Sequence, residues 1–282
     1  MTTATIERML PLYEGKMIHQ YDHRWATYDG LAVRDVTASE KADPAFVALP
    51  RYWVRQEVVD DVLRDRWSQS WLLGWRDICR ATDERTMISS FLGVGASPEG
   101  GVLLALPSSE DWQRALLLLA VFNSFVFDFS ARQKVGSTHL KYFTIKQLPV
   151  PKPSSFERQL CFGAKSLAQW LMPRLMRLVV TADDIANAIP SGINPVWVTS
   201  QRAALRAEVD AVMFHFYGVL REDVDYVMDT FRIVKETDEV AYGEYRTKRL
   251  ILEVFDAMQK AIDNETEYHS DVEQFLEEGI MR

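Results

Sequence analysis

The 282 residues are 48% hydrophobic, with eight Trp, ten Tyr and fourteen Phe. That composition supports a sizeable core and excludes wholesale disorder, and the length favours about two domains. The formal net charge of −8 argues at first against a nucleic-acid partner.

Divided along the chain, the charge reads differently. Residues 1–153 hold 18 Lys and Arg against 18 Asp and Glu, whereas residues 154–282 hold 14 against 22. A neutral first part can still display a basic face, and an acidic second part suits protein or solvent better than phosphate. The two cysteines, Cys79 and Cys161, show neither a pairing pattern nor metal-ligand spacing, which suits a reducing cytoplasm. Met1 to Arg8 lack a secretory-signal pattern, and the longest apolar run, Ala115 to Phe122, is far short of the roughly 20 residues that span a bilayer. A cytoplasmic location without a membrane partner is expected.

Residues 11–30 mix aromatic and polar residues densely, and Gly15 and Asp29-Gly30 suggest short strands and a tight turn. His19 and His23 are four apart, a zinc-compatible spacing on a helix, yet no third ligand accompanies them, and no metal site is expected. Residues 31–50 read as a surface segment. Strands are expected at Arg51–Val54, Trp71–Ile78, Thr86–Val94 and Val102–Leu106, with helical spacing over Val58–Trp67. Ser108-Ser-Glu-Asp111 starts a helix apolar on nearly every side, the expected spine of the first part, which runs to about Lys134. A polar loop, Arg132 to Leu140, follows, then a short strand and the prolines Pro149, Pro151 and Pro153. These prolines close a first domain, 1–153. The second, 154–282, reads as helices over 155–177, 181–189, 199–217, 221–230, 243–263 and 269–279, with Gly218 placed as a cap.

Two fragments tempt a catalytic reading. Phe91-Leu-Gly-Val-Gly95 matches a glycine-rich cofactor turn, but it lies between two strands, so a hairpin turn is the natural reading. Asn194-Pro-Val-Trp197 approximates the Asn-Pro-Pro-aromatic motif of adenine methyltransferases without its second proline. No nuclease, hydrolase or Walker pattern stands out.

What remains is a set of side chains competent for DNA. Lys16, Gln20, His23 and Arg24 lie in the opening aromatic stretch. Arg76, Asp77, Arg80, Thr82 and Arg85 lie on or beside the connection between two strands. Arg132, Gln133, Lys134, Gly136, Ser137, Thr138 and His139 fill the polar loop, and Lys141 and Lys146 follow it. Forked Arg and Gln groups match guanine and adenine edges, Lys, Ser and Thr suit phosphates, and Gly136 lets backbone approach closely.

Six stretches resemble one region of a known family: Tyr13 to Tyr28, Trp75 to Ile88, Arg132 to Phe143, Leu148-Pro-Val-Pro151, Phe214-His-Phe-Tyr-Gly218 and Gly243 to Leu250. The family is the large adenine-specific DNA methyltransferases of type IIG-like restriction–modification and phage-defence systems, and the region is their C-terminal, target-recognising half. The resemblance implies an α+β fold, with a mixed-sheet target-recognition domain around a buried spine helix and then a mainly helical domain. It implies double-stranded DNA and a methyltransferase catalytic subunit or domain as partners. It also implies that S-adenosylmethionine, which donates the methyl group to a flipped adenine, is bound by that catalytic partner, with no cofactor and no catalytic residue in this chain. A protein-interaction or regulatory fragment of such a system, without DNA contacts of its own, is the alternative expectation.

Overall fold

Trp71-Leu-Leu-Gly-Trp75 offers no polar residue to alternate with its apolar ones, the pattern of a strand covered on both faces. In the computed structural model, which describes residues 7–98 and 100–277, this stretch is β5 (Trp71–Arg76), the centre of a three-stranded antiparallel sheet. On one side β6 (Ser89–Gly93) pairs from Trp71↔Gly93 to Trp75↔Ser89. On the other, β7 (Val102–Ala105) pairs from Leu73↔Ala105 to Arg76↔Val102. Gly74 sits where a Cβ would run into the Val102 side chain, so the sheet closes there only around glycine.

Because β5 lies between β6 and β7, the glycine-bearing segment after β6 is a crossover and not the expected hairpin turn. Gly95 instead backs onto the Pro11 carbonyl, 2.6 Å from where a Cβ would stand. The remaining strands form two-stranded antiparallel sheets, β1 (Met9–Pro11) with β4 (Trp53–Arg55) and β2 (Ala26–Asp29) with β3 (Ala32–Asp35). Gly30, at φ 60°, makes the tight turn of the second pair. The α+β class holds, but in place of a mixed sheet the described strands make three small antiparallel ones. The segment 31–50 is more ordered than expected, holding β3 and the short helix α1 (Ala38–Ala42), which starts on a Thr37–Glu40 capping box. Helix α2 (Gln56–Leu63) follows β4.

The expected spine is two helices, α3 (Trp112–Asn123) and α4 (Phe125–Lys134), bent by 64° at Ser124. Asp111 caps α3, accepting from the amides of Gln113 and Arg114. At the bend, Asn123 accepts from the Ser89 amide and donates to the Ser89 carbonyl, both at 3.0 Å. Ser124 caps α4 through the Phe127 amide, and Asp210 accepts the Phe125 amide at 2.8 Å. These tertiary partners, together with the polar pair Asn123-Ser124 inside an otherwise apolar run, break the helix.

Beyond a 3₁₀ turn at Pro153–Glu157 come α6 (Leu167–Val179), α7 (Asp183–Ala188), α8 (Thr199–Phe216), α9 (Arg221–Asp229), α10 (Arg232–Tyr242), α11 (Arg246–Asp263) and α12 (Glu273–Glu277). The strand expected after the polar loop is instead the short helix α5 (Tyr142–Ile145). The helix expected over 155–177 begins only at the Ser166–Gln169 capping box. Helix α10 was not expected, because Val234 is its one buried apolar side chain and leaves no stripe to read. Gly218 (φ 69°) follows α8 as foreseen. The last helix falls within the expected 269–279, of which 278 and 279 lie outside the described residues.

Core packing crosses the proline stretch: α3 packs on α6, and α4 on α8 and α9. Arg174 of α6 meets Glu208 of α8 at 2.6 Å, both buried. Among the described residues no single helix is long and apolar enough to cross a membrane.

Two outcomes test this packing. Leu119 is fully buried in α3, so Leu119→Ala should lower unfolding free energy by about 2–5 kcal/mol in denaturant titration. Burial raises the Asp210 carboxyl to about 6, against the lowering effect of Arg85 and of the Phe125 amide. An acid raised in the folded state favours folding at low pH and loses that advantage as pH rises through its folded value. Asp210→Asn keeps an oxygen for the Phe125 amide, so it should melt higher than the parent above about pH 6. That gain should shrink on acidification and vanish below the ordinary carboxylate range. A gain independent of pH would rule out the titration of Asp210 as its source.

Candidate nucleic-acid interface

The two stretches singled out in the sequence, 75–86 and 132–146, meet in space. After β5 the chain stays extended and pairs with the polar loop through an antiparallel bridge, Ile78↔His139. The Cys79 amide donates to the Thr138 carbonyl (3.1 Å) and the Leu140 amide to the Asp77 carbonyl (2.8 Å). Below the bridge, the Trp75 indole donates to the Leu140 carbonyl at 2.8 Å. Leu140 itself is buried. Asp77 has no exposure, and one of its carboxylate oxygens holds the Lys141 ammonium at 2.7 Å and lies 3.2 Å from His139 Nδ1. The buried carboxylate thereby draws the Lys141 ammonium and the His139 ring to one edge.

Arg132 completes the clamp from the end of α4. Its guanidinium donates to the carbonyls of Asp83 (2.6 Å), Glu84 (2.9 Å) and Thr230 (3.4 Å) and lies 3.9 Å from the centre of the Phe231 ring. Its donors are thus turned inward, where they brace the 80–86 connection.

On the outside of the clamp, Arg80, Gln133, Lys134, Gly136, Ser137, Thr138 and Lys146 are exposed, and His139 and Lys141 are half-buried. Ile78 is 60% and Phe143 68% exposed. Gly136 has open space where a Cβ would stand, so packing does not require glycine there. Beside Ile78 opens a cleft of about 470 Å³ lined by Lys16, Arg51, Arg76 and Gly101 among others. Gly15 approaches the Gly101 carbonyl there, 3.3 Å from where a Cβ would stand. The Arg76 guanidinium reaches the Ile18 carbonyl, with Nε at 2.9 Å, so this arginine shapes the cleft wall while its head is engaged.

Besides Asp77, four of the residues expected at DNA are interior. Arg24 is 1% exposed and donates to the carbonyls of Lys41, Asp43, Phe46 and Thr181 at 2.7–3.1 Å. Gln20 joins the Asn123 carbonyl to Arg206. His23 pairs with Asp184 at 3.0 Å. Burial pushes the Asp184 carboxyl up, but His23 and the Ile185 amide outweigh it and bring the group to about 2. Arg85 is 2% exposed and paired with Asp128 at 2.6 Å. These four hold segments of the fold together and lie away from the exposed edge. His19 is buried as well, its imidazole held neutral first by desolvation and then by Arg76. The described residues contain no group of three or more metal-type ligands.

The sequence reading missed Arg51, on the wall of the cleft, and Ile78, at the centre of the bridge. Arg51 gave no signal beyond its charge. Ile78 did give one, an apolar residue between Asp77 and Cys79 where the strand pattern ends.

No protein-family model, curated protein or solved structure matches this chain.

The clamp makes a local prediction. Asp77→Asn keeps the shape but removes the charge that gathers His139 and Lys141. Hydrogen exchange at the Cys79 and Leu140 amides should then quicken by about tenfold, a local loss of roughly 1.4 kcal/mol. The β5–β6 amides should stay unchanged. Equal quickening throughout the sheet would show that Asp77 supports the whole fold and not the bridge.

Proposed function

We propose that the chain is a sequence-recognition module for DNA, serving an adenine-specific (N6) methyltransferase of a restriction–modification or phage-defence assembly. The observation that carries this reading is the bridge, which brings two stretches more than fifty residues apart to a single edge. That edge offers Arg80, Gln133, Lys134, Ser137, Thr138, His139 and Lys146 to solvent. Cationic groups suit backbone phosphates, and a forked amide such as Gln133 suits a base edge. Clamped at both ends and open at its tip, the loop has the form of an element that enters a groove. The methyl transfer, with its S-adenosylmethionine, belongs in this reading to a partner.

A second reading, an interaction module without DNA contacts, draws on a different surface. Tyr52 and Trp53 at β4 and Val58 and Val62 on α2 are exposed, at 43–58%. Neighbouring exposed apolar side chains suit a protein partner. The two readings separate by experiment: under the second, Trp53→Asp with Val62→Asp should abolish capture of a catalytic partner, and the parent chain should retain no duplex.

Fluorescence anisotropy with a randomised duplex pool, followed by sequencing of the retained fraction, tests the leading reading. Binding should weaken steeply with salt and select a subset of sequences. Replacing Arg80, Lys134 and Lys146 by Ala should weaken all sequences alike and reduce the salt slope by about one for each phosphate no longer neutralised. Gln133→Ala should relax selection at one position. If no duplex is retained, even with a catalytic partner present, the DNA reading fails.

A further inference from the structure

Arg85, expected at DNA and found inside, lines a cavity of about 200 Å³ bounded by α8, α10, α11 and the 84–85 segment. Three arginines line it from three separate elements: Arg85, Arg206 of α8 and Arg246 in the first turn of α11. Arg85 Nε meets Asp128 at 2.6 Å, and one Nη meets the Asn123 carbonyl, also at 2.6 Å. The other Nη is buried and makes no hydrogen bond with any described residue. A buried donor left unmet costs roughly 1–3 kcal/mol, more when it is charged, so this nitrogen marks a place where an acceptor is due. Arg206 spends one Nη on Gln20 at 2.7 Å, and the Arg246 guanidinium lies 4.6 Å from the centre of the Tyr242 ring.

The cavity also has carboxylates, and their bonding decides the sign of the ligand. Asp210 is fixed on the Phe125 amide and Asp238 on the Thr247 amide at 2.5 Å, while Glu84 is exposed at the rim. Two of the three acids are therefore engaged with backbone donors at helix starts. A bound cation would leave the Arg85 nitrogen as it is, whereas an oxyanion supplies acceptors alone and matches a wall of guanidinium donors. The volume falls below the roughly 300–1,000 Å³ of sites for drug-sized molecules, which limits the occupant to a small ion.

We propose that this cavity binds a small tetrahedral oxyanion of the sulfate or phosphate class, held by Arg85, Arg206 and Arg246. The site is separate from the proposed DNA edge, and its test does not depend on that reading.

Isothermal titration of the full chain with sodium sulfate at low ionic strength should show a single saturable site. Arg246→Gln removes one charged donor without touching the Arg85–Asp128 pair, and it should weaken binding by about tenfold or more. Its circular dichroism and its melting point without sulfate should match the parent. Arg206→Gln, which also disturbs Gln20, provides a second variant with the same expected loss. No saturable heat from the parent up to roughly 20 mM sulfate, well beyond the millimolar dissociation range, would overturn the proposal. Unchanged affinity in Arg246→Gln would do the same. Duplex affinity should be unaltered in Arg246→Gln; an equal loss there would overturn the free-ion site in favour of a DNA backbone phosphate.

Discussion

The architecture depends on how one carboxylate, Asp128, is satisfied. It has no exposure, and a buried charge is tolerated only when paired and hydrogen-bonded. Asp128 accepts from Arg85 Nε at 2.6 Å and from the amides of Thr86 and Met87 at about 3.1 Å. Breaking such a pair by losing one partner costs about 3–5 kcal/mol, a large share of ordinary domain stability. The bond set ties α4 to the approach of β6, which fixes the path of the 80–86 connection. Arg132, one turn further along α4, can then brace that connection, and the bridge at Ile78 and His139 follows from where the two segments are held. The bend at Ser124 serves the same end by pointing the start of α4 toward Asp210.

Arginine has an unusual part in this molecule. Arg24, Arg76, Arg132 and Arg202 all direct their guanidinium groups to main-chain carbonyls, Arg202 to those of Leu178 and Tyr21. Much of the first part is irregular chain between short strands, whose carbonyls lack ladder partners. A side chain with five fixed donors can meet several of them at once. In such a fold an arginine taken alone is a poor sign of an exposed edge, and the exposed lysines and amides carry more information there.

That distinction explains how much of the molecule was legible from residues alone. Strand β5 and helix α3 could be read because continuous apolar runs have few alternatives, and Asp111 and Gly218 could be read because caps are local chemistry. The break at Ser124 was signalled only by the polar pair Asn123-Ser124, and the partners that fix it, Ser89 and Asp210, are far away in sequence. Helix α10 escaped because it buries almost nothing apolar. The exposure of Lys134, Ser137 and Lys146 followed from composition, whereas the interior places of Gln20, His23, Arg24 and Arg85 follow from distant acceptors that no periodicity encodes. The adjacency of the two polar stretches was equally hidden, being a long-range pairing.

The tip between Lys134 and Thr138 is secured at its ends and hardly at all along its length. Trp75, Asp77 and Leu140 hold it from beneath, and its main internal bond is that of the His139 amide to the Ser137 hydroxyl. Folding therefore places few demands on which residues occupy it. A segment of this kind can drift in sequence, or accept a graft of similar length, while the scaffold below registers no change. Variation is thus channelled into the part of the surface that the proposed DNA reading assigns to recognition and away from the parts where it would cost stability.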